Sequence, residues 1–172
     1  MALAVTGAAG QIPGNWLGAG HLRLLVNGSA SPVSLDFGTL MPGRWSVVEE
    51  VVTADMAGVP AASLGLTVTA PAGSALAARQ HLQVSYSDPL PAADLGWDGT
   101  RCAPGTAFAH TANASGAALG TLTPGTGVCV RFALTLTTAA GDEVQDARAA
   151  YTVTYTLLQS APGASRAGGP TP

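Results

Sequence analysis

The stretch that decides the fold is "GTLTPGTGVCVRFALTLT" (Gly120–Thr137), a tight turn followed by a long alternating segment. From Val128 onward apolar residues occupy every other position, which is the period of a β-strand with one buried face. The opening "GTLTPG" is nearly repeated as "GTLMPG" at Gly38–Gly43, again before a β-branched stretch, "WSVVEEVVT" (Trp45–Thr53). The repeat therefore predicts one structural corner used twice, each time at the start of a strand.

Both corners have the form L-x-P-G, whose residues favour a tight turn. Proline presets φ at the second turn position and glycine accepts φ > 0 at the third, so we predict type II turns. We expect the leucine of each copy to anchor the turn in the core, which makes the role of the corner architectural. The corner residues are Leu40, Pro42, Gly43, Leu122, Pro124 and Gly125.

The rest of the chain also has the pattern of short strands separated by turn residues. Convincing helical periodicity is absent, and the nearest candidate is one turn within Gly73–Leu82. We therefore predict an all-β fold, a jelly-roll or immunoglobulin-like antiparallel β-sandwich of about seven to nine strands. The predicted strands are His21–Asn27, Pro32–Phe37, Trp45–Thr53, Ser63–Ala70, His81–Ser87, Val128–Thr137 and Ala149–Gln159.

Composition along the chain suggests one domain with two tails. We assign 1–17 to an N-terminal segment, 18–159 to the sandwich and 160–172 to a low-complexity tail that should not fold alone. Within the sandwich, residues from about 89 to 119 are rich in Pro, Gly, Asp and Ala and are expected to form an excursion. Its aromatic focus is Trp97, a candidate for contact with a glycan.

The charge content narrows the choice of function. Only 10% of residues are charged, against about 25% in an average globular protein, and the net charge is −3. Self-association is expected of such a surface, and the scattered arginines give no basic stripe for nucleic acid. The chain has no lysine, so lysine-based isopeptide bonds are excluded. No run of 18 apolar residues is present, so no membrane span is predicted.

The chain contains two cysteines, Cys102 and Cys129, and their state has two interpretations. They are either buried free thiols of a cytosolic protein or one disulfide of a secreted protein. Strands rich in Thr and Gly with few charges favour secretion and the disulfide. A disulfide closing this loop would stabilise the fold by roughly 3–4 kcal/mol in the chain-entropy model.

Residue patterns of known catalytic and metal sites are missing. His21, His81 and His110 lie in unrelated contexts, and neither a zinc-binding nor a nucleophile motif is present. The acidic "GDEVQD" (Gly141–Asp146) lacks the spacing of a Ca²⁺ loop, which favours a solvated turn. We therefore expect no catalytic residues, no bound metal and no cofactor.

Three segments resemble the TasA/camelysin family of secreted proteins, whose signal peptides are removed by a SipW-type peptidase. "GAGHLRLLVNG" (Gly18–Gly28) resembles the family's "G-T-L-D-L-x-V-N-G" start, and Val33–Thr53 resembles its "V-x-L-x-N-L-x-P-G-D" strand and corner. Leu119–Gln159 is similar to the family's C-terminal strands. The cysteine before "VRF" and the upstream Trp–Cys pair resemble an actinobacterial branch.

This resemblance implies a structural subunit of a biofilm-matrix or cell-surface fibre rather than an enzyme. In such fibres the N-terminal segment of one subunit completes the sheet of the next, so the main partner is a second copy of the chain, with other matrix components as further partners. Head-to-tail donation does not close on itself and gives a filament. The expected donor strand is Ala2, Leu3, Ala4, Val5 and Thr6.

Two other functions remain open. One is a secreted carbohydrate-binding or adhesive module that uses Trp97 and the excursion. The other is a protease, because relatives of camelysin have been described as metalloproteases, although no zinc motif supports it in this sequence.

Overall fold

The computed structural model describes residues 5–6, 21–30, 35, 37–69, 78–96, 101–112, 116–140 and 151–159. These residues form an all-β sandwich, which confirms the predicted fold class. The elements are β1 (Val5–Thr6), β2 (His21–Val26), β3 (Trp45–Ala57), β4 (Ala62–Thr69), β5 (Gln80–Tyr86), β6 (Leu90–Pro91), α1 (Ala92–Leu95), β7 (His110–Ala112), β8 (Ala117–Leu122), β9 (Thr126–Leu136) and β10 (Thr152–Gln159).

Two sheets make up the sandwich. The larger has the order β2-β3-β9-β5-β7, with the short β6 also paired to β9. The smaller has the order β1-β10-β4-β8, in which β1 is parallel to β10 and the other pairs are antiparallel. The longest pairing joins β3 to β9, from Trp45 opposite Thr135 to Thr53 opposite Gly127.

Alternation along β9 supplies one wall of the core. Its inward side chains are buried and meet those of β10 and β4 from the opposite sheet. The largest of the fully buried side chains are Tyr155 and Phe132, one from each sheet. Because successive residues of a strand face opposite sides, the intervening residues of β9 lie on the outer face of the larger sheet. The inward residues of β9 are Val128, Val130, Phe132, Leu134 and Leu136.

The repeated corner occurs at opposite ends of β9. In the first copy the amide of Gly43 donates to the carbonyl of Leu136, at the C-terminal end of β9, and the chain then enters β3. The second copy leads directly into Thr126, the first residue of β9. The same turn therefore starts each of the two long central strands, from opposite ends of the sheet.

Both turns have the geometry of a type II corner. Gly43 and Gly125 have φ of 72° and 81°, and in each turn the residue after glycine donates its amide to the residue before proline, at 3.1 and 3.0 Å. Leu122 is fully buried, and Leu40 is partly buried against the core.

Some predicted segments differ from the structure. Of the predicted strand Pro32–Phe37, the structure describes Leu35 and Phe37. Both are buried, as the alternation suggested, but neither lies in a strand. The first part of Gly73–Leu82, up to residue 77, lies outside the described residues, so the helical turn stays a prediction. Its end is a turn at Ala78 and Arg79 followed by β5, which pairs with β9. The excursion contains β6, α1 and β7.

Replacing either corner glycine should destabilise the fold. We expect Gly43→Ala and Gly125→Ala each to lower the free energy of unfolding by about 1–2 kcal/mol, because an L-residue is strained at positive φ. The loss should be larger at Gly43, where a Cβ would lie 3.2 Å from Cγ2 of Thr138. Urea denaturation of each variant measures the effect.

A matched control is Gly65→Ala in β4, where φ is not positive and the nearest atoms to a Cβ are 3.8 Å away. This variant should keep or slightly raise stability, since alanine costs less conformational entropy in a strand. If Gly65→Ala lowered the free energy of unfolding as much as the corner variants do, the assignment of the corners as type II turns would be wrong.

Candidate functional site

The excursion packs as a cap on the outer face of the larger sheet. We use "cap" for residues 87–96 and 101–109. It leaves β5, pairs with β9 where Leu90 lies opposite Gly127, and returns to the sheet through β7. The amide of Ala92 donates to the carbonyl of Gly125 at 2.8 Å, which ties α1 to the second corner. The cap therefore covers only the half of the outer face nearest the start of β9.

A disulfide joins the cap to the sheet. Cys102 of the cap is bonded to Cys129 of β9, with Cα atoms 6.2 Å apart, which confirms the predicted pairing over a free-thiol arrangement. Both cysteines are buried in a second, smaller core with Val51 and Leu95. Two partly buried residues, Leu90 and Phe108, pack against this core. A disulfide of this kind is compatible with an oxidising, extracellular location.

Glu49 is a polar anchor for the same cap. One carboxylate oxygen accepts a hydrogen bond from Nε of Arg131 at 2.8 Å and forms an ion pair with Nη2 at 2.7 Å. The other accepts from the backbone amide of Cys102 at 3.0 Å. The Arg131 guanidinium also lies 3.8 Å from the ring centre of Phe108, within the range of a cation–π contact. The ion pair thus holds two points of the cap while its charges compensate each other.

The neighbouring Glu50 faces the opposite way, into the sandwich. It is completely buried, and one carboxylate oxygen accepts a hydrogen bond from the hydroxyl of Tyr155 at 2.6 Å. Tyr155 belongs to β10, so this contact joins the two sheets through the core. The other oxygen of Glu50 is buried and has no hydrogen-bond partner within the described residues. A buried carboxyl with an unsatisfied oxygen is costly in its charged form.

The surroundings of Glu50 and Tyr155 raise the pKa of both side chains. Burial raises the pKa of Glu50 from 4.5 to about 7, and the hydrogen bond from Tyr155 partly offsets that increase. Burial also raises the pKa of Tyr155 well above 10, and the nearby Glu50 charge and hydrogen bond raise it further. Near neutral pH the core therefore holds a substantial fraction of protonated Glu50.

The histidines have separate surroundings and do not meet. His21 lies 3.0 Å from Asp55, and His110 lies 2.7 Å from Asp88, both at exposed positions. His110 also stacks on Tyr86, with ring centres 5.0 Å apart. His81 contacts a tryptophan ring edge-on. The described residues contain no group of three or more His, Cys, Asp or Glu side chains placed to hold a metal ion.

The edge of the smaller sheet is relevant to the expected donor strand. Val5 lies opposite Val153 and Thr6 opposite Thr154, so β1 covers only the first part of the outer edge of β10. On its other side β10 pairs with β4 over all eight of its residues. Within the described ranges, Tyr155–Gln159 has no strand partner on the outer side.

Several predicted sites lie outside the described residues. These are Ala2, Leu3 and Ala4 of the donor segment, Trp97, the acidic Gly141–Asp146 and the tail at 160–172. The glycan contact at Trp97 and the solvated acidic turn therefore stay predictions. Among the residues that are described, no helix has the length and apolar character needed to cross a membrane.

Sequence reasoning missed Glu49 and Glu50, although a signal was available. They are adjacent in "VVEEVV", and alternation requires that one of two neighbouring strand residues face the core. The Arg131 partner could not be found in this way, because it lies 82 positions further along the chain.

Comparison with known proteins gives no match to a family model, to a curated protein or to a solved structure.

Glu50 should make stability depend on pH. Between pH 4.5 and 7 the folded state holds a proton at Glu50 that the unfolded state has released, so raising pH favours unfolding. We expect the free energy of unfolding to fall by about 3 kcal/mol from pH 4.5 to above pH 7, because the pKa of Glu50 rises from 4.5 in the unfolded chain to about 7 in the folded one. Glu50→Gln stays neutral and should remove most of this fall, as measured by urea denaturation across pH 4.5–8.

The control is Asp55→Asn, which removes an exposed carboxylate from the same strand. This variant should keep the decline of the parent protein. An unchanged decline in Glu50→Gln would show that Glu50 is not the titrating group.

Removing the disulfide should destabilise the protein without changing its sheets. For the double variant Cys102→Ser/Cys129→Ser we expect a loss of about 2–4 kcal/mol, because the unfolded chain gains the freedom of the opened loop. Denaturation with and without a reducing agent measures it. Reduction should weaken the parent protein by a similar amount and leave the double variant unchanged; a parent protein insensitive to reduction would contradict a stabilising role.

Proposed function

We propose that this protein is a structural subunit of an extracellular filament, in a biofilm matrix or on a cell surface, and that it polymerises head-to-tail by donating its N-terminal strand. The observation that carries the proposal is the edge of β10, which within the described residues is paired with the chain's own β1 over part of its length. The resemblance of three sequence segments to the TasA/camelysin family supports the same function.

An incompletely paired edge favours addition of another strand. The unpaired N–H and C=O groups of an edge strand are a template for an extended segment, and proteins use this for assembly. Within the described residues β1 meets β10 through two residue pairs, so little of the described main-chain pairing is lost when β1 is released. Exchange of the same element between copies is a low-cost route to association.

The geometry of exchange determines the kind of assembly. If the N-terminal strand of each copy occupies the β10 edge of the next, the contact is head-to-tail and continues as a filament unless the rotation closes a ring. The low charge content supports such close packing, because it leaves little repulsion between copies. The disulfide favours an extracellular setting.

Deleting Ala2–Gly10 should leave a folded protein that does not polymerise. The sandwich core is made by β2–β5 and β7–β10, so far-UV circular dichroism and the thermal transition should remain close to those of the full chain. Negative-stain electron microscopy at rising concentration should show filaments of the full chain and none of the deletion.

Two further variants sharpen this test. Val5→Pro removes a main-chain donor from the segment and should weaken assembly in the intact chain. Deletion of 161–172 is a control that shortens the opposite terminus by a similar length and should leave assembly unchanged. Filaments in the N-terminal deletion would exclude strand donation, and monomers of the full chain at every concentration would exclude the filament itself.

A further inference from the structure

At the end away from the cap, the outer face of the larger sheet has no cover among the described residues, and several of its side chains are exposed. Here three neighbouring strands present their outward side chains in two rows across the sheet. In the first row Trp45, Thr135 and His81 lie opposite one another. In the second row Val47, Ala133 and Gln83 lie opposite one another. We call these six residues the bare face.

Ala133 has the smallest side chain of the bare face, and we call the space above it the depression. Its methyl group lies between the larger Val47 on β3 and Gln83 on β5. On one side Trp45 and His81 meet edge-to-face above the central strand, with ring centres 5.7 Å apart and planes at 72°. On the other side the next row is formed by the Glu49–Arg131 pair, with Phe108 against the guanidinium. Strands about 4.8 Å apart and rows about 6.7 Å apart enclose space for one sugar ring.

The chemistry of the walls suits a neutral sugar. Trp45 is 49% exposed, and its aromatic surface is available to the C–H groups of a pyranose, which carry partial positive charge and favour the negative face of a π-system. Gln83 and His81 are exposed, and both side chains can donate to and accept from hydroxyl groups. The neighbouring charges of Glu49 and Arg131 compensate each other at 2.7 Å, so this row adds no net charge that would favour a nucleic acid or an acidic peptide.

The size of the apolar surface distinguishes a sugar from a protein partner. Trp45 and Val47 are each about half exposed. Because a whole aromatic side chain presents about 150–250 Å², these two residues together offer on the order of 200 Å². A stable protein interface needs about 800 Å² on each partner. The patch is therefore too small to hold a second copy by itself, whereas ligand sites commonly combine one aromatic surface with a few polar groups.

We propose that this depression binds a pyranose unit of a neutral polysaccharide. The ring lies against Trp45, and its hydroxyl groups bond to His81 and Gln83. The site lies on the larger sheet, whereas the β10 edge belongs to the smaller sheet, so a test of sugar binding is independent of filament formation. It would allow the protein to attach to a polysaccharide matrix through one sheet while the β10 edge of the other sheet takes part in assembly.

Titration calorimetry of the full chain with cellohexaose, chitohexaose and laminarihexaose tests the proposal. At least one hexasaccharide should bind with a dissociation constant on the order of 0.1–1 mM, as expected for a shallow site. Trp45→Ala should weaken that binding at least tenfold and Trp45→Phe less, since phenylalanine keeps an aromatic face. Gln83→Ala should weaken binding about threefold to tenfold.

Leu158→Ala serves as the control and should retain binding. It truncates another half-exposed apolar residue, on the outer face of the other sheet. Far-UV circular dichroism verifies that each variant is folded. The proposal is overturned if none of the three hexasaccharides binds, or if binding is lost in Trp97→Ala and kept in Trp45→Ala. It is also overturned if Trp45→Ala changes only the sedimentation of the protein, because the bare face would then contact a second copy.

Discussion

The antiparallel pairing of β3 with β9 is the contact on which the rest of the structure depends. It joins the two longest strands, and each of them begins at one copy of the repeated corner. The inward residues of both strands form one wall of the main core. Their outward residues carry the cap at one end and the bare face at the other. A shift by one residue in this register would exchange the two faces and would destroy both the core and the cap contacts.

Two adjacent glutamates show how this register assigns opposite roles to similar residues. Glu49 is on the outer face, where Arg131 compensates its charge and the amide of Cys102 is its second partner. Glu50 is on the inner face, where its partner is the hydroxyl of Tyr155 and one oxygen is left without a hydrogen bond. A buried polar contact of this kind costs stability relative to an apolar pair. Since it is directional and joins β3 to β10, we infer that it helps to fix how the two sheets face each other.

The surfaces that bear on function are spatially separate. The β10 edge belongs to the smaller sheet, whereas the cap and the bare face belong to the outer side of the larger sheet. Strand donation at the edge therefore leaves the bare face accessible, and a filament would present one copy of it per subunit. The cap gains its stability from the disulfide and from a small core of its own, so it does not depend on assembly.

Much of the fold could be predicted from the sequence because its signals are local. The period-2 pattern of β9, the L-x-P-G corners and the strand from His21 onward each depend on residues close together in the chain, and the all-β class follows from them. The pairing of Cys102 with Cys129 was also accessible, since the chain contains only these two cysteines. In contrast, alternation shows that Glu49 and Glu50 face opposite sides but not which of them is buried. Which of them is buried depends on which distant strands pair, and so do the contact between Trp45 and His81 and the part of the β10 edge that no described strand covers. This pairing is decided only when the whole chain buries its apolar faces together.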